Sequence, residues 1–370
     1  MFITAKAQEA EATESEENII MKLMGYKREN GRYGIRNHLL IIPASVCSSE
    51  TAVNIAKLVD GAIAIPHQHG CCEIGDDFDT TKRTLVGFGK NPNVGAVLVV
   101  GLGCEGIQAK EIADEIKTTG KPVEYIVIQE EGGTAKTVSK GVEIAGKMAR
   151  EISKQNKVEF DISEIILGLE CGGSDPTSGL ASNPSIGVAS DMLVSMGGSS
   201  ILSETTEVIG AEHLLYPRFE DENEGKKFLE MVKRVENRSI AAGHDLREGQ
   251  PTPGNKAGGL TTIEEKSLGC MHKAGHSPFK GTLEYAEELP TNKKGLYFMD
   301  TPGQDIDSIT GMVAGGAQVI VFSTGRGTPT GSPIAPVIKI TGNSSTYNNM
   351  IDNIDINAGK IITEGVKLQD

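Results

Sequence analysis

The residues best suited to chemistry in this chain stand at the ends of apolar runs. The densest case is 165–187, where Ile165-Ile166-Leu167-Gly168-Leu169 ends in Glu170-Cys171-Gly172-Gly173-Ser174-Asp175, followed by Thr177-Ser178-Gly179 and Asn183-Pro184-Ser185. This pattern predicts a buried strand, a loop dense in donors and acceptors, and a helix opening near Pro184. Loops at the carboxyl ends of strands, facing the free N–H groups of helix starts, are where α/β sheets bind anions. The two glycines permit close backbone approach, while Cys171, Ser174, Asp175, Ser178 and Asn183 offer a thiol, hydroxyls, a carboxylate and an amide. A Gly-Ser-Asp loop also caps many helices without any ligand, so both readings stand.

Cysteine repeats this placement. Cys47, Cys71, Cys104 and Cys171 each follow an apolar run, and Cys71, Cys104, Cys171 and Cys270 each adjoin a glycine. One such thiol is ordinarily a small hydrophobe in a core. Several in equivalent loops point to a shared task, and converging with His67, His69 and Glu105 they would make a soft to borderline site for iron or zinc. The candidate ligands are His67, Cys71, Cys104, Cys171 and Cys270, though their separations match no zinc-finger spacing. Arg36 beside Asn37, Lys266, and Arg326 near Thr324 lie in polar stretches and suit anionic oxygens, or else surface ion pairs. His213 and His244 read as surface or helix-end residues. Gly101-Leu102-Gly103-Cys104-Glu105-Gly106 has the GxGxxG form but lacks a suitably spaced acidic partner for a ribose.

The elements that must position these residues alternate. Apolar runs at 38–43, 62–65, 94–100 and 123–128 predict strands, and helices are expected over 47–59, 80–89, 107–118 and 134–155. From 165 the alternation restarts, with further strands at 199–203, 295–299 and 319–322 and a long amphipathic helix over 221–242. Residues 243–281 hold few apolar runs and read as a long irregular segment, which at that length is usually functional. The expected fold is α/β: two Rossmann-like lobes with parallel sheets, 25–157 and 158–370, after a flexible Ala/Glu-rich segment 1–24.

Composition narrows the class. The chain has 370 residues, a formal charge of −14 and six cysteines without a CxxC pair. The acidic balance argues against a nucleic-acid partner, since phosphate contacts require clustered Lys and Arg. No apolar run reaches the roughly 18 residues of a membrane span and no signal-peptide pattern is visible, so a cytoplasmic protein is expected.

Taken in order, 31–37, His67–Cys71 with Asp76-Asp77, 101–105, 170–175 with Asn183-Pro184, 204–212, 264–270, 300–303 and 324–327 resemble the large catalytic region of the altronate/galactarate dehydratase family. That family includes the large subunit of sulfolactate sulfo-lyase. The resemblance covers about 25–365 and implies an iron-dependent lyase acting on a small anionic 2-hydroxy acid. Its dehydratases carry a small N-terminal β-rich domain; the sulfo-lyase keeps that domain as a separate subunit. The present architecture resembles the latter, which implies a small β-rich partner subunit and a homo- or hetero-oligomer.

Such substrates carry a leaving group on C3. Removing the C2 proton and expelling sulfite or hydroxide gives an enol that tautomerises to a 2-oxo acid. A divalent metal chelated by the carboxylate and 2-hydroxyl would stabilise the developing charge. Fe2+ is the expected metal, with a labile iron–sulfur cluster on Cys71, Cys104 and Cys171 as the alternative. The expected substrate-binding residues are Arg36, Asn37, Ser174, Asp175, Asn183, Thr324 and Arg326. The catalytic candidates are Lys266, as a base of lowered pKa, His67 as its competitor, and Glu264. A ligand-sensing protein without catalysis is the remaining reading, and it would predict strand-end loops poorer in ionisable groups.

Overall fold

The computed structural model describes residues 21–369. Two parallel sheets dominate. The first has the order β4-β3-β5-β6, from β3 (His38–Pro43), β4 (Ala62–Ala64), β5 (Val94–Gly101) and β6 (Val123–Val127). All its pairings are parallel, and β5 is buried along its whole length, as a strand covered on both faces by helices must be. The second has the order β10-β11-β9-β8-β12-β13-β14, also parallel throughout. Its members are β8 (Ile166–Gly172), β9 (Ser199–Leu202), β10 (Phe279–Leu283), β11 (Leu296–Met299), β12 (Val319–Thr324), β13 (Val337–Thr341) and β14 (Ile356–Asn357).

Strand order fixes where ligands can enter. In the first sheet the chain leaves β3 toward β4 and leaves β5 toward β6, so successive loops diverge between β3 and β5. In the second it leaves β8 toward β9 and β12 toward β13, so the divergence lies between β8 and β12. Each divergence opens a crevice beyond the carboxyl ends of its strands.

The two sheets share one core. Leu40, Val97 and Val99 of the first sheet, Ile112 and Ile116 of the helix Ala109–Lys117, and Met312, Ile320 and Phe322 beside the second belong to a single buried cluster. The helices Asp76–Lys90 and Asp305–Ala314 meet so closely that a Cβ on Gly87 would lie 2.4 Å from the Ala314 carbonyl oxygen. Asn91 donates to the carbonyls of Val313 and Ala317, and Asn93 to those of Gln318 and Ile334. Lys121 is buried, and its Nζ caps the end of Asp76–Lys90 by donating to the carbonyls of Gly89, Lys90 and Asn91. Burial drives its pKa well below the usual lysine value.

Several expectations are corrected. Residues 1–20 lie outside the described residues, but 22–24 are not a loose segment: Lys22–Lys27 is a strand, β1. It pairs antiparallel with β2 (Tyr33–Gly34) and with β7 (Val158–Asp161), a third small sheet whose members are too far apart in sequence to announce one another. Residues 243–281 are not irregular. They contain the helices Leu246–Gly249, Pro253–Gly258 and Ile263–Cys270, a 3-10 turn Met271–Ala274 and the start of β10. Thr252 and Thr262 cap two of these helices by accepting from the N–H groups of Asn255 and Glu265. β13 and β14 were also unforeseen.

Candidate active site

The site forms where β8 ends. Glu170 and Cys171 are its last buried side chains before the glycines, and both face groups brought by later segments. After β9 the chain turns through Glu204, whose φ of 68° is the left-handed conformation that non-glycine residues rarely adopt. The turn is held by the Glu204 N–H donating to Thr301 Oγ1 at 2.7 Å, and it directs the Glu204 carboxylate back to accept from the Cys171 N–H at 3.0 Å. The 3-10 turn Thr205–Glu207 then places Glu207 inside. The helix Ile263–Cys270 and the turn after it present Lys266, Cys270 and Lys273 on one side.

These residues meet in a buried cluster. Cys171 Sγ lies 3.4 Å from Cys270 Sγ, and Cys270 Sγ lies 3.4 Å from Glu207 Oε2. Lys266 Nζ donates to Glu207 Oε1 at 2.7 Å and to Gln250 Oε1 at 2.8 Å. Lys273 Nζ is 2.9 Å from Cys171 Sγ and pairs with the Glu204 carboxylate. Ser308 Oγ donates to Glu170 Oε2 at 2.6 Å. Burial, reinforced by the neighbouring Glu204 charge, raises the Glu170 carboxyl well above the ordinary range. Cys171 is likewise pushed up, by its contact with Cys270 and by burial. Asp305, facing Gly172 at the start of its helix, is raised to about 6 by burial and then by the charge of Glu204.

Among the described residues, Cys171, Glu207 and Cys270 form the group whose ligand atoms lie within 4.8 Å of one another. Two thiols and a carboxylate make a soft to borderline donor set. Glu204 Oε1, beside them, is buried without a hydrogen-bond partner. An unpartnered carboxylate oxygen beside a thiol–carboxylate cluster suits a cation, so the chain holds a candidate metal-binding group. A cavity of about 300 Å³ reaches this cluster at Cys270 and is lined by Lys266, Cys270, Ser174, Ser178, Gly179 and Asn183 among others. Ser174 Oγ and Asn183 Oδ1 are buried there without partners, ready for a polar ligand. A second cavity of about 420 Å³ lies across Asp175 and Gly258 and is lined by Arg326, Asn343, Thr346 and Asn349.

The sequence candidates therefore divide. Lys266, Cys171, Cys270, Ser174 and Asn183 come together. Asp175 forms the wall between the cavities, with its carboxylate spent on Thr177, Ser178 and Asn343. Thr324 Oγ1 accepts from the Gly327 N–H and holds that loop, and Arg326 faces the second cavity. The expected pKa of Lys266 is reversed: burial acts to lower it, but the Glu207 carboxylate and Cys270 outweigh burial and raise it, so Lys266 is an ammonium rather than a free base. Glu264 points to solvent beside Arg247, 3.5 Å away.

His67, Cys71 and Cys104 do not join Cys171 and Cys270; they stand on loops of the first sheet. His67 uses both ring nitrogens locally, Nε2 donating to the Pro43 carbonyl at 2.8 Å and Nδ1 accepting from the His69 N–H at 3.1 Å. Both ring nitrogens are thus engaged within the loops of the first sheet. Glu105 is buried with its carboxylate accepting from the N–H groups of Leu102 and Gly103, so it stabilises its own loop. Arg36 and Asn37 precede β3 and lie at the sheet's amino edge, away from both crevices. Asn37 there accepts from Arg28 and donates to the Ile152 carbonyl. The residues that sequence reasoning left out are Lys273, Glu204, Glu207, Glu170, Asp305 and Ser308.

Comparison with known proteins places the chain in a family. The family description "D-galactarate/Altronate dehydratase, C-terminal" matches residues 162–370, and "D-galactarate dehydratase/Altronate hydrolase, second domain" matches 25–153. The chain is 38% identical over 351 residues to (2R)-sulfolactate sulfo-lyase subunit beta of Chromohalobacter salexigens, covering 94% of this chain and 88% of that one. It is 35% identical over 363 residues to altronate dehydratase of Bacillus subtilis, covering 95% and 71%. To galactarate dehydratase (L-threo-forming) of Escherichia coli it is 36% identical over 361 residues, covering 92% and 68%. The chain belongs to the D-galactarate/altronate dehydratase family.

Proposed function

We propose that this protein is a lyase that removes a C3 substituent from a small 2-hydroxy acid, giving a 2-oxo acid, with sulfolactate and sulfite release as the favoured reaction. The observation that carries the reading is the buried Lys266–Glu207–Cys270–Cys171 cluster opening onto a cavity with unpartnered polar groups, in a chain related to a sulfolactate sulfo-lyase subunit and to sugar-acid dehydratases. Dehydration of altronate or galactarate is the second reading, favoured by the names of the other relatives.

Cys171, Cys270 and Glu207, with Glu204 beside them, would hold Fe2+, which fits their donor chemistry. Bound there, it would supply Lewis-acid stabilisation of the negative charge that develops on the substrate. The rest falls to the protein. Ser174 and Asn183 orient the anion through hydrogen bonds. Lys266, kept charged by Glu207, neutralises negative charge that builds as the C2 proton leaves. Asp305, with a pKa of about 6, stands against Gly172 outside the lining of this cavity, and would accept that proton from a substrate whose C2 reaches the end of β8. The C3–sulfur or C3–oxygen bond then breaks with its electron pair on the leaving group, and the resulting enol loses its C2 hydroxyl proton and gains one on C3 to give the 2-oxo acid. Arg326, outside this cavity, would contact only a substrate or product reaching past Asp175.

A small β-rich partner subunit is expected, since one relative is named as a beta subunit. Oligomerisation, no nucleic-acid or membrane partner and a cytoplasmic location complete the reading; no described helix is long and apolar enough to cross a membrane. The test is assay of the iron-loaded protein for 2-oxo acid, comparing wild type with Lys266→Met. Loss of at least about a hundredfold in kcat, with metal content retained, supports the role given to Lys266. Unchanged turnover would remove Lys266 from the chemistry.

A further inference from the structure

Cys171 and Cys270 are buried, whereas the other four cysteines are exposed. The two buried sulfurs stand 3.4 Å apart although 99 positions separate them in the chain. A disulfide bond is about 2.05 Å long, so a closure of about 1.4 Å would join them, within reach of small side-chain rotations. The sulfurs of Cys71 and Cys72 are 3.8 Å apart, but they belong to adjacent residues. Adjacent Cα atoms lie about 3.8 Å apart, short of the roughly 4.4–6.8 Å that an ordinary disulfide spans.

The segments carrying the buried pair are held against one another. Asn183 Nδ2 donates to the Gly269 carbonyl at 2.9 Å, and a Cβ on Gly179 would lie 3.1 Å from Gly269 Cα. The residue before Cys270 therefore rests directly on the stretch that follows Cys171. Cys171 is fixed from its other side by Glu204, which accepts from its N–H at 3.0 Å. Two groups held this close meet at a very high effective concentration, which favours a bond between them over reaction with a second molecule. Cys270 lines the reaction cavity and so gives a small oxidant its way in. Its S–H is placed to donate to Glu207 Oε2 at 3.4 Å, and the Lys273 ammonium stands 2.9 Å from Cys171 Sγ.

We propose that Cys171 and Cys270 are a redox-modification site, at which hydrogen peroxide converts the metal-free pair into a reversible disulfide. The Cys270 sulfur attacks one peroxide oxygen; the O–O bond breaks, a sulfenic acid forms, and the other oxygen leaves as water with the thiol proton. The Cys171 sulfur then attacks the sulfenic sulfur. The S–O bond breaks, and its hydroxyl leaves as a second water with the Cys171 proton. Two thiols and one peroxide thus give one disulfide and two waters. Lys273 stabilises the negative charge that develops on Cys171 as its proton departs. The new bond spends two of the three donors of the Cys171–Glu207–Cys270 group, so the oxidised chain loses its metal-binding capacity until a thiol reductant reopens the pair. The inference rests on this thiol geometry and not on the lyase reading.

The test uses full-length protein in which the exposed Cys47, Cys71, Cys72 and Cys104 are replaced by serine, so that only the buried pair can react. Metal-free, reduced protein receives about one equivalent of hydrogen peroxide, its remaining thiols are alkylated in denaturant, and its peptides are mapped by mass spectrometry without reductant. The expected result is a linked Cys171–Cys270 peptide, loss of both free thiols and loss of Co2+ uptake, with thiols and uptake restored by dithiothreitol. Cys270→Ser in the same background should leave the Cys171 thiol free at that dose, because the cavity meets the cluster at Cys270. Wild type treated likewise should yield the same linked peptide, so a folding defect in the serine variant does not decide the outcome. Two thiols still free after peroxide in both proteins, or Cys270 carried to sulfinic acid without a cross-link, would overturn the proposal. Because the bond is read without substrate, that failure would leave the lyase reading standing.

Discussion

Lys273 Nζ stands 2.9 Å from Cys171 Sγ, with the lysine side chain only 1% exposed and also paired to the Glu204 carboxylate. A buried ammonium is tolerated only where negative or polarisable partners surround it. Burial acts to lower its pKa, but Cys171 and Glu204 prevail and hold it well above the usual lysine value. Lys273→Met should therefore destabilise the protein by about 3–5 kcal/mol, because Glu204 is left buried without its counter-charge. In the double variant with Glu204→Gln the loss should be smaller than the sum of the two single losses. Denaturant unfolding of the three variants reads this directly, and additive effects would show that the two side chains act independently.

Asp305 sets a pH dependence. Its folded-state pKa of about 6 lies above the unfolded value of 3.8, so the folded state binds this proton more tightly. Its favourable contribution is thus present below pH 3.8 and is lost as pH rises through about 6. Asp305→Asn should be more stable relative to wild type at pH 7.5 than at pH 4, as read by Tm. In the enzyme, kcat/KM should fall on the acid side with an apparent pKa of about 6, and that limb should vanish in the variant together with most of the activity. An acid limb unchanged in Asp305→Asn would assign the proton elsewhere.

Ser174 and Asn183 are buried at the reaction cavity with unpartnered oxygens. Loss of one hydrogen bond to a charged ligand is worth about 1.5–3 kcal/mol, so Ser174→Ala should raise KM roughly tenfold or more with little change in Tm. Arg326→Ala, which alters only the second cavity, should shift KM for a three-carbon acid less than Ser174→Ala does. Steady-state kinetics on both variants decides whether the two cavities are divided at Asp175, the residue that lines both.

Legibility in the sequence followed physics. The central strands were plain because fully buried parallel strands are unbroken apolar runs, and β3, β5, β8 and β12 stand where those runs do. The region around Lys266 was misjudged because its helices are short and lack an apolar face, their stability coming from Thr caps and tertiary contacts. Reading it as irregular hid that Lys266, Cys270 and Lys273 fall at i, i+4 and i+7, one helical face of chemically active side chains. Glu204 and Glu207 had the right address, a polar loop after a strand, but nothing local distinguishes an inward carboxylate from a solvated one. Arg36 and Asn37 show the converse: a conspicuous polar motif serves to join β2 to β3 and satisfy Arg28.

Gly87 tests how the two sheets are held together. With the Ala314 carbonyl oxygen 2.4 Å from the position of a Cβ, Gly87→Ala must push apart the helices Asp76–Lys90 and Asp305–Ala314. Overpacking of this kind costs about 1–3 kcal/mol. Because Asp305 begins the second of these helices, a shift there should also lower kcat. Unaltered Tm and turnover would mean that the interface yields without cost.

The central claim is β-elimination at the Cys171–Glu207–Cys270 site, and product analysis tests it most directly. The protein, co-expressed with any small partner subunit and loaded anaerobically with ferrous iron, is given sulfolactate, altronate and galactarate in turn, and 2-oxo acid and sulfite are measured together. The account predicts equal amounts of pyruvate and sulfite from sulfolactate, or failing that a 2-oxo acid without sulfite from a sugar acid, in either case abolished by Cys171→Ser. Iron-loaded protein that forms no 2-oxo acid from any of the three would contradict it.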